Sequence, residues 1–72
     1  MTDTETLAID DREITLTQVL KLAGLCGSGG EAKNLIGDGQ VRVNGEVELR
    51  KRRQMAKGDL VELIGGGRVV LG

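Results

Sequence analysis

The sequence predicts an α+β fold in which two short helices pack on a small, largely antiparallel sheet. Three observations carry that prediction. Apolar residues recur at helical spacing twice, at Leu16, Val19, Leu20 and Ala23 and again at Ala32, Leu35 and Ile36. Val41 and Val43 then alternate with polar neighbours ahead of Asn44-Gly45, the dipeptide favoured by tight hairpins. The last third holds two apolar runs, Leu60 to Ile64 and Val69 to Leu71, parted by Gly65, Gly66 and Gly67. With no internal repeat and no dividing linker, residues 1–72 read as one domain.

Taken in order, residues 1–5 are polar and expected to fray. Leu7 and Ile9 alternate with polar neighbours, which predicts a short strand closed by the turn residues Asp10 and Asp11. Thr15 or Thr17 can cap the first helix, Lys21 falls on its outer face, and Gly24 ends it. Leu25 to Gly27 link it to a second helix capped by Ser28, with Glu31 three residues on completing a capping-box pattern. Gly37 and Gly39 flank Asp38 and are expected to supply the left-handed backbone that stops this helix.

The register of the following hairpin is open. A two-residue Asn44-Gly45 turn sets Val43 opposite Glu46, whereas a three-residue loop matches Val43 with Val47. The run Arg50 to Arg53 reads as a solvated strand or loop, and strand alternation would send Arg50 and Arg52 to one side and Lys51 and Arg53 to the other. Arg42 is expected to project outward, opposite Val41 and Val43. Lys57-Gly58-Asp59 reads as a turn into the first of the two closing strands.

Composition narrows the function. The chain has no Phe, Tyr or Trp, which disfavours reading single-stranded bases by stacking them on aromatic rings. Its net charge of −1 conceals an uneven distribution. The first sixteen residues carry −4 and the remainder +3, with four consecutive cations at Arg50, Lys51, Arg52 and Arg53. Cys26 is the only cysteine and there is no His, so neither a disulfide framework nor a usual zinc or iron site is expected. No cofactor is expected. The acidic N-terminus lacks an apolar run, so no signal peptide or membrane span is expected and the chain reads as cytoplasmic.

Among local motifs, Gly27-Ser28-Gly29-Gly30-Glu31-Ala32 matches the alanine-ended dinucleotide fingerprint but lacks the preceding buried strand that fingerprint requires. What remains is a glycine-bearing helix start, whose exposed amides suit a phosphate oxygen, set against glycines that serve only helix–helix contact. Lys33 lies on the same helix, at the edge of its apolar stripe. Cys26 has no base to activate it and reads as a small core residue. No nucleophile–base pair is evident, so no catalytic residue is expected.

Leu22-Ala23-Gly24-Leu25, Ser28, Ala32, Leu35-Ile36, Gly39, Val41-Arg42-Val43-Asn44-Gly45 and Gly58-Asp59 together resemble the S-four RNA-binding domain, the αL module. The resemblance spans about residues 14–64. Ile14-Thr15-Leu16, Leu20-Lys21-Leu22 and Ser28-Gly29-Gly30 with Ala32-Lys33 resemble its small stand-alone bacterial subgroup. It implies a non-enzymatic module that rests structured RNA, ribosomal or transfer RNA, on two helices and a hairpin. The implied partner is therefore RNA, bound by a monomer that works alone or on a ribosomal particle. Many members open the first helix with Arg-Leu-Asp and follow the second helix's serine with Arg; here Leu16-Thr17-Gln18 and Gly29 stand in those places. The expected contacts are accordingly Lys33, Arg42, Arg50, Lys51, Arg52 and Arg53, with Ser28 and the Gly29 and Gly30 amides, and Lys21 and Lys57 as outliers. Two rival readings are a β-grasp sulfur carrier and an adaptor that docks an acidic protein.

Overall fold

The computed structural model describes residues 4–10 and 13–72. Its elements are β1 (Thr4–Leu7), β2 (Ile14–Thr15), α1 (Leu16–Leu22), α2 (Gly29–Gly37), β3 (Val41–Val43), β4 (Glu46–Val47), β5 (Gln54–Met55), β6 (Leu60–Leu63) and β7 (Arg68–Leu71). Five strands form one sheet in the order β1-β7-β6-β3-β4, antiparallel except for the parallel β1–β7 pair. β2 and β5 form a separate antiparallel pair. The α+β class with two helices on a largely antiparallel sheet is what the periodicities predicted.

The register shows why the helices have a side to pack on. Val43, Val61 and Val69 lie in one cross-strand row, and Val41 pairs with Leu63 in the next. The three valines of that row and Val41 are buried. They share a single apolar cluster with Leu16, Val19 and Leu20 of α1 and Ala32 and Ile36 of α2. The opposite face of the sheet carries Val47, Arg42, Glu62 and Arg68 in a row, with Arg68 and Glu62 3.6 Å apart. Arg42 thus projects away from the core, as its alternation with two valines predicted.

The caps resolve two alternatives. Thr15, not Thr17, caps α1: its hydroxyl accepts from the Gln18 amide and its amide donates to Gln18 Oε1 at 2.8 Å, a complete capping box. α2 has only the Ser28 half of such a box, with Ser28 Oγ accepting from the Glu31 amide at 3.2 Å. Glu31 Oε2 lies instead near Gly27, 3.8 Å from where a Cβ there would stand. Gly37 is the last residue of α2, and only Gly39 adopts the left-handed backbone, at φ +74°.

The hairpin takes the two-residue turn. Asn44 and Gly45 both have positive φ, 54° and 89°, and Val43 pairs with Glu46 and Arg42 with Val47. Two expectations need correction. The first strand is Thr4–Leu7 rather than a segment through Ile9, because β7 offers it a parallel ladder ending at Leu7↔Leu71. Ile9 is buried just beyond it. Residues 1–3 of the expected frayed terminus, and Asp11 of the expected turn, lie outside the described residues. The second correction concerns 50–53, which form a turn closed by Arg53 N to Arg50 O at 3.2 Å, not a strand. Side-chain alternation therefore does not govern them.

Candidate nucleic-acid interface

A helix leaves its first amides without intrahelical partners. In α1 the Leu16 amide donates to Arg53 O at 3.0 Å and the Thr17 amide to Lys51 O at 3.3 Å. Thr17 Oγ1 donates to the same Lys51 carbonyl at 2.8 Å. The main chain of the basic turn thereby serves as the acceptor set for the start of α1. The β2–β5 pair, with Thr15 opposite Gln54, holds the turn from its other end. Four consecutive cations consequently project from an anchored backbone rather than from a free loop.

The hairpin register supplies a second anchor. With Val43 opposite Glu46, Glu48 falls beside Val41, whose carbonyl accepts from the Glu48 amide at 3.0 Å. That position lies on the core side of the sheet, and Glu48 is the one buried charged residue among those described. A carboxylate there needs partners. Arg50 meets it side-on, donating from Nε to Oε2 at 3.1 Å and from Nη2 to Oε1 at 3.0 Å, while the Arg50 amide also reaches Oε2. Arg53 Nη1 donates to Oε1 at 2.8 Å. These hydrogen bonds, Arg50's first and Arg53's next, pull the Glu48 carboxyl from its usual 4.5 to about 2, against burial, which pushes the other way. Glu48 in turn raises the Arg50 guanidinium above its ordinary value.

Two neighbouring concavities result. One, of about 370 Å³, is lined by Lys33 and Gly37 of α2 and by Leu49, Arg50, Lys51 and Arg52. The other, of about 560 Å³, is lined by Arg50, Arg52, Arg53 and Gln54. Among the described residues Lys33, Lys51 and Arg52 have no ion-pair partner, so their charges face solvent undiminished. Leu49, exposed to 62 %, is the apolar element of the first groove.

Of the residues singled out from sequence, the fold brings together Lys33 and the whole run Arg50 to Arg53. It does not bring in the others. Ser28, Gly29 and Gly30 lie at the N-terminal end of α2, about 12 Å along the helix from Gly37 at 1.5 Å per residue. Gly30, Lys33 and Gly37 do share one helix face by their spacing. Arg42 stands on the far side of the sheet. Lys21 lies near Gly29, its Cδ 3.7 Å from the place of a Cβ there, and Lys57 is exposed in the turn before Gly58. Sequence reasoning missed Glu48, Leu49, Gly37 and Gln54 as parts of this surface. Glu48 was accessible in principle, since the two-residue register alone puts it on the core face.

The Cys26 thiol is buried, and burial together with the nearby Glu31 charge pushes it above its ordinary value, away from a reactive thiolate. Among the described residues no group of three His, Cys, Asp or Glu side chains is placed to hold a metal ion. None of their helices is long and apolar enough to cross a membrane.

Comparison with known proteins agrees with the fold. The family profile described as S4 domain matches residues 7–71. A Bacillus subtilis (strain 168) protein, provisionally named the ribosome maturation protein RlbA, is 44% identical over 61 residues, covering 85% of this chain and 86% of the relative. YbcJ of Escherichia coli (strain K12), provisionally named an RNA-binding protein, is 44% identical over 52 residues, covering 72% of this chain and 74% of its own. The solution structure of E. coli YbcJ, described as having an αL motif involved in RNA binding, superposes with a TM-score of 0.65 at 38% identity. That match covers 96% of this chain and 85% of YbcJ. A helix pair followed by a hairpin, the ordered motif residues and a match over nearly the whole chain lead to one assignment: this protein belongs to the S4 domain family.

Proposed function

We propose that this chain binds the sugar–phosphate backbone of structured RNA, without catalysis, in the groove between α2 and the 49–53 segment. The observation that carries the reading is the clustering of Lys33, Arg50, Lys51 and Arg52 around one concavity whose main chain is pinned to the start of α1. Phosphates are the matching ligand, because cations that displace condensed counterions gain affinity for any polyanionic backbone. Stacking of bases on aromatic rings is not available to a chain without aromatic residues. A rigid surface then selects shape, which favours folded RNA over single strands. The names borne by the relatives support RNA as ligand, and that of the Bacillus relative favours ribosomal over transfer RNA. One copy suffices for this groove, and the working place would be the cytoplasm, on a ribosomal particle. An RNA strand leaving the groove along Gly30, Lys33 and Gly37 reaches the Ser28–Gly30 end of α2, whereas Arg42 faces elsewhere.

The test is the salt dependence of binding to a labelled ribosomal RNA hairpin. With about four cations engaged, log affinity should fall linearly with log salt with a slope of about −3 to −4, taking ~0.9 per contact. Lys51→Ala with Arg52→Ala should flatten that slope by about two units, and weaken many structured RNAs alike. An affinity indifferent to salt, or displacement by an acidic protein as readily as by RNA, would replace this reading by that of a protein adaptor.

A further inference from the structure

We propose, resting on the RNA reading above, that Glu48 is a positioning residue: it locks Arg50 and Arg53 into a two-guanidinium cradle for one phosphate of a folded RNA. Two guanidinium nitrogens lie within 3.0 Å of the single oxygen Glu48 Oε1. Like charges so close would separate if nothing held them, and the carboxylate is what holds them. The pairing leaves donors to spare. A guanidinium has five N–H donors in a fixed fork. Arg50 spends its Nε and one Nη2 hydrogen on Glu48, and Arg53 spends one on Nη1. Arg50 and Arg53 both line one concavity, together with Arg52 and Gln54. The Arg50 side chain is 75 % exposed and that of Arg53 31 %, whereas Glu48 behind them is 10 % exposed. An incoming phosphate would therefore meet the forks first and the carboxylate not at all.

Stability alone does not explain a buried carboxylate at this place. A buried ion pair is often replaceable by apolar groups without loss, and here it also cancels one positive charge beside a polyanion site. Fixing two planar forks is what offsets that cost, since bidentate guanidinium contacts carry geometric specificity that a lysine's point charge lacks. Arg52 and Lys51, without such anchoring, then contribute charge, and Arg50 and Arg53 contribute shape.

The two roles predict opposite signs for Glu48→Gln. Charge alone predicts tighter binding to every polyanion, because the variant gains one unit of positive charge. Positioning predicts roughly tenfold weaker binding to an RNA hairpin, with binding to single-stranded poly(U) unchanged or tighter. The hairpin-to-poly(U) affinity ratio is thus the deciding readout, measured by fluorescence anisotropy at fixed salt, with far-UV circular dichroism verifying the fold. Arg53→Lys keeps the charge and the partner for Glu48 but removes the fork, and should lower the same ratio several-fold; it decides the matter if Glu48→Gln does not fold. Unchanged ratios in the folded variants would overturn the cradle while leaving the RNA reading intact. A parent chain that binds neither RNA would overturn both.

Discussion

Asn44 should carry more stability than its exposed position at a hairpin tip implies. It occupies a left-handed backbone, φ 54°, that most side chains resist. Its Nδ2 donates to Asp59 Oδ1 at 3.1 Å and its Oδ1 accepts from the Leu60 amide at 2.9 Å. Asp59 in turn accepts from the Ala56 amide at 2.9 Å, so one side chain ties the hairpin to the turn that launches β6. Asn44→Ala removes two hydrogen bonds, each worth about 1 kcal/mol at most at this exposure. Alanine also costs about 1–2 kcal/mol in the left-handed region, which asparagine tolerates far better. The expected loss is therefore about 2–3 kcal/mol, a fall in Tm of about 10–20 °C for a domain this small. Asn44→Gly loses the same bonds but tolerates the backbone. After allowing for the greater entropy of an unfolded glycine, it should be about 0.5–1 kcal/mol less damaging than alanine. Urea unfolding followed by far-UV circular dichroism measures both, there being no aromatic fluorophore. Two variants as stable as the parent would refute the bridging network, and a glycine variant no better than alanine would refute the backbone contribution.

Two further outcomes follow from the same structure. Because the Glu48 carboxyl is lowered in the folded state, from 4.5 to about 2, its pairing stabilises fully above about pH 4.5 and is lost as pH falls towards 2. The urea midpoint should drop across that window, and less steeply in Glu48→Gln; equal slopes would show that other carboxylates dominate. Cys26→Ala should leave RNA affinity unchanged and cost about 1 kcal/mol or less, through packing alone. Loss of binding by that variant while still folded would assign the thiol a role the buried site denies it.

What the sequence made legible follows from periodicity and local turn chemistry. The α1 stripe at Leu16, Val19 and Leu20 and the α2 stripe at Ala32 and Ile36 are buried where helical spacing put them. Asn44-Gly45 announced its hairpin because few dipeptides accept two consecutive positive φ values. Strands whose existence depends on distant partners were harder to read. Thr4–Leu7 is polar and becomes a strand only because β7, more than sixty residues later, offers a ladder. Gln54–Met55 is too short to carry any alternation and is defined by Ile14–Thr15 alone. The same distinction runs through the candidate site. The cations were visible as a run, but their grouping was not, since it depends on Glu48 gathering Arg50 and Arg53 and on α1 amides fixing the carbonyls of Lys51 and Arg53. Lys33 joins them because α2 lies beside that turn, a tertiary fact that helical spacing does not encode.

RNA bound as proposed occupies the groove between α2 and the basic turn. The most direct measurement is a titration of the isotopically labelled protein with an unlabelled ribosomal RNA hairpin, followed by amide and arginine side-chain NMR shifts. The largest changes should fall on Lys33, Gly37 and Leu49 to Gln54, with the Arg50 and Arg53 guanidinium signals among them. Small changes are expected at Arg42, Glu62 and Arg68 on the opposite face of the sheet. Shifts concentrated on that opposite face, with the groove residues unmoved, would contradict this placement of the RNA.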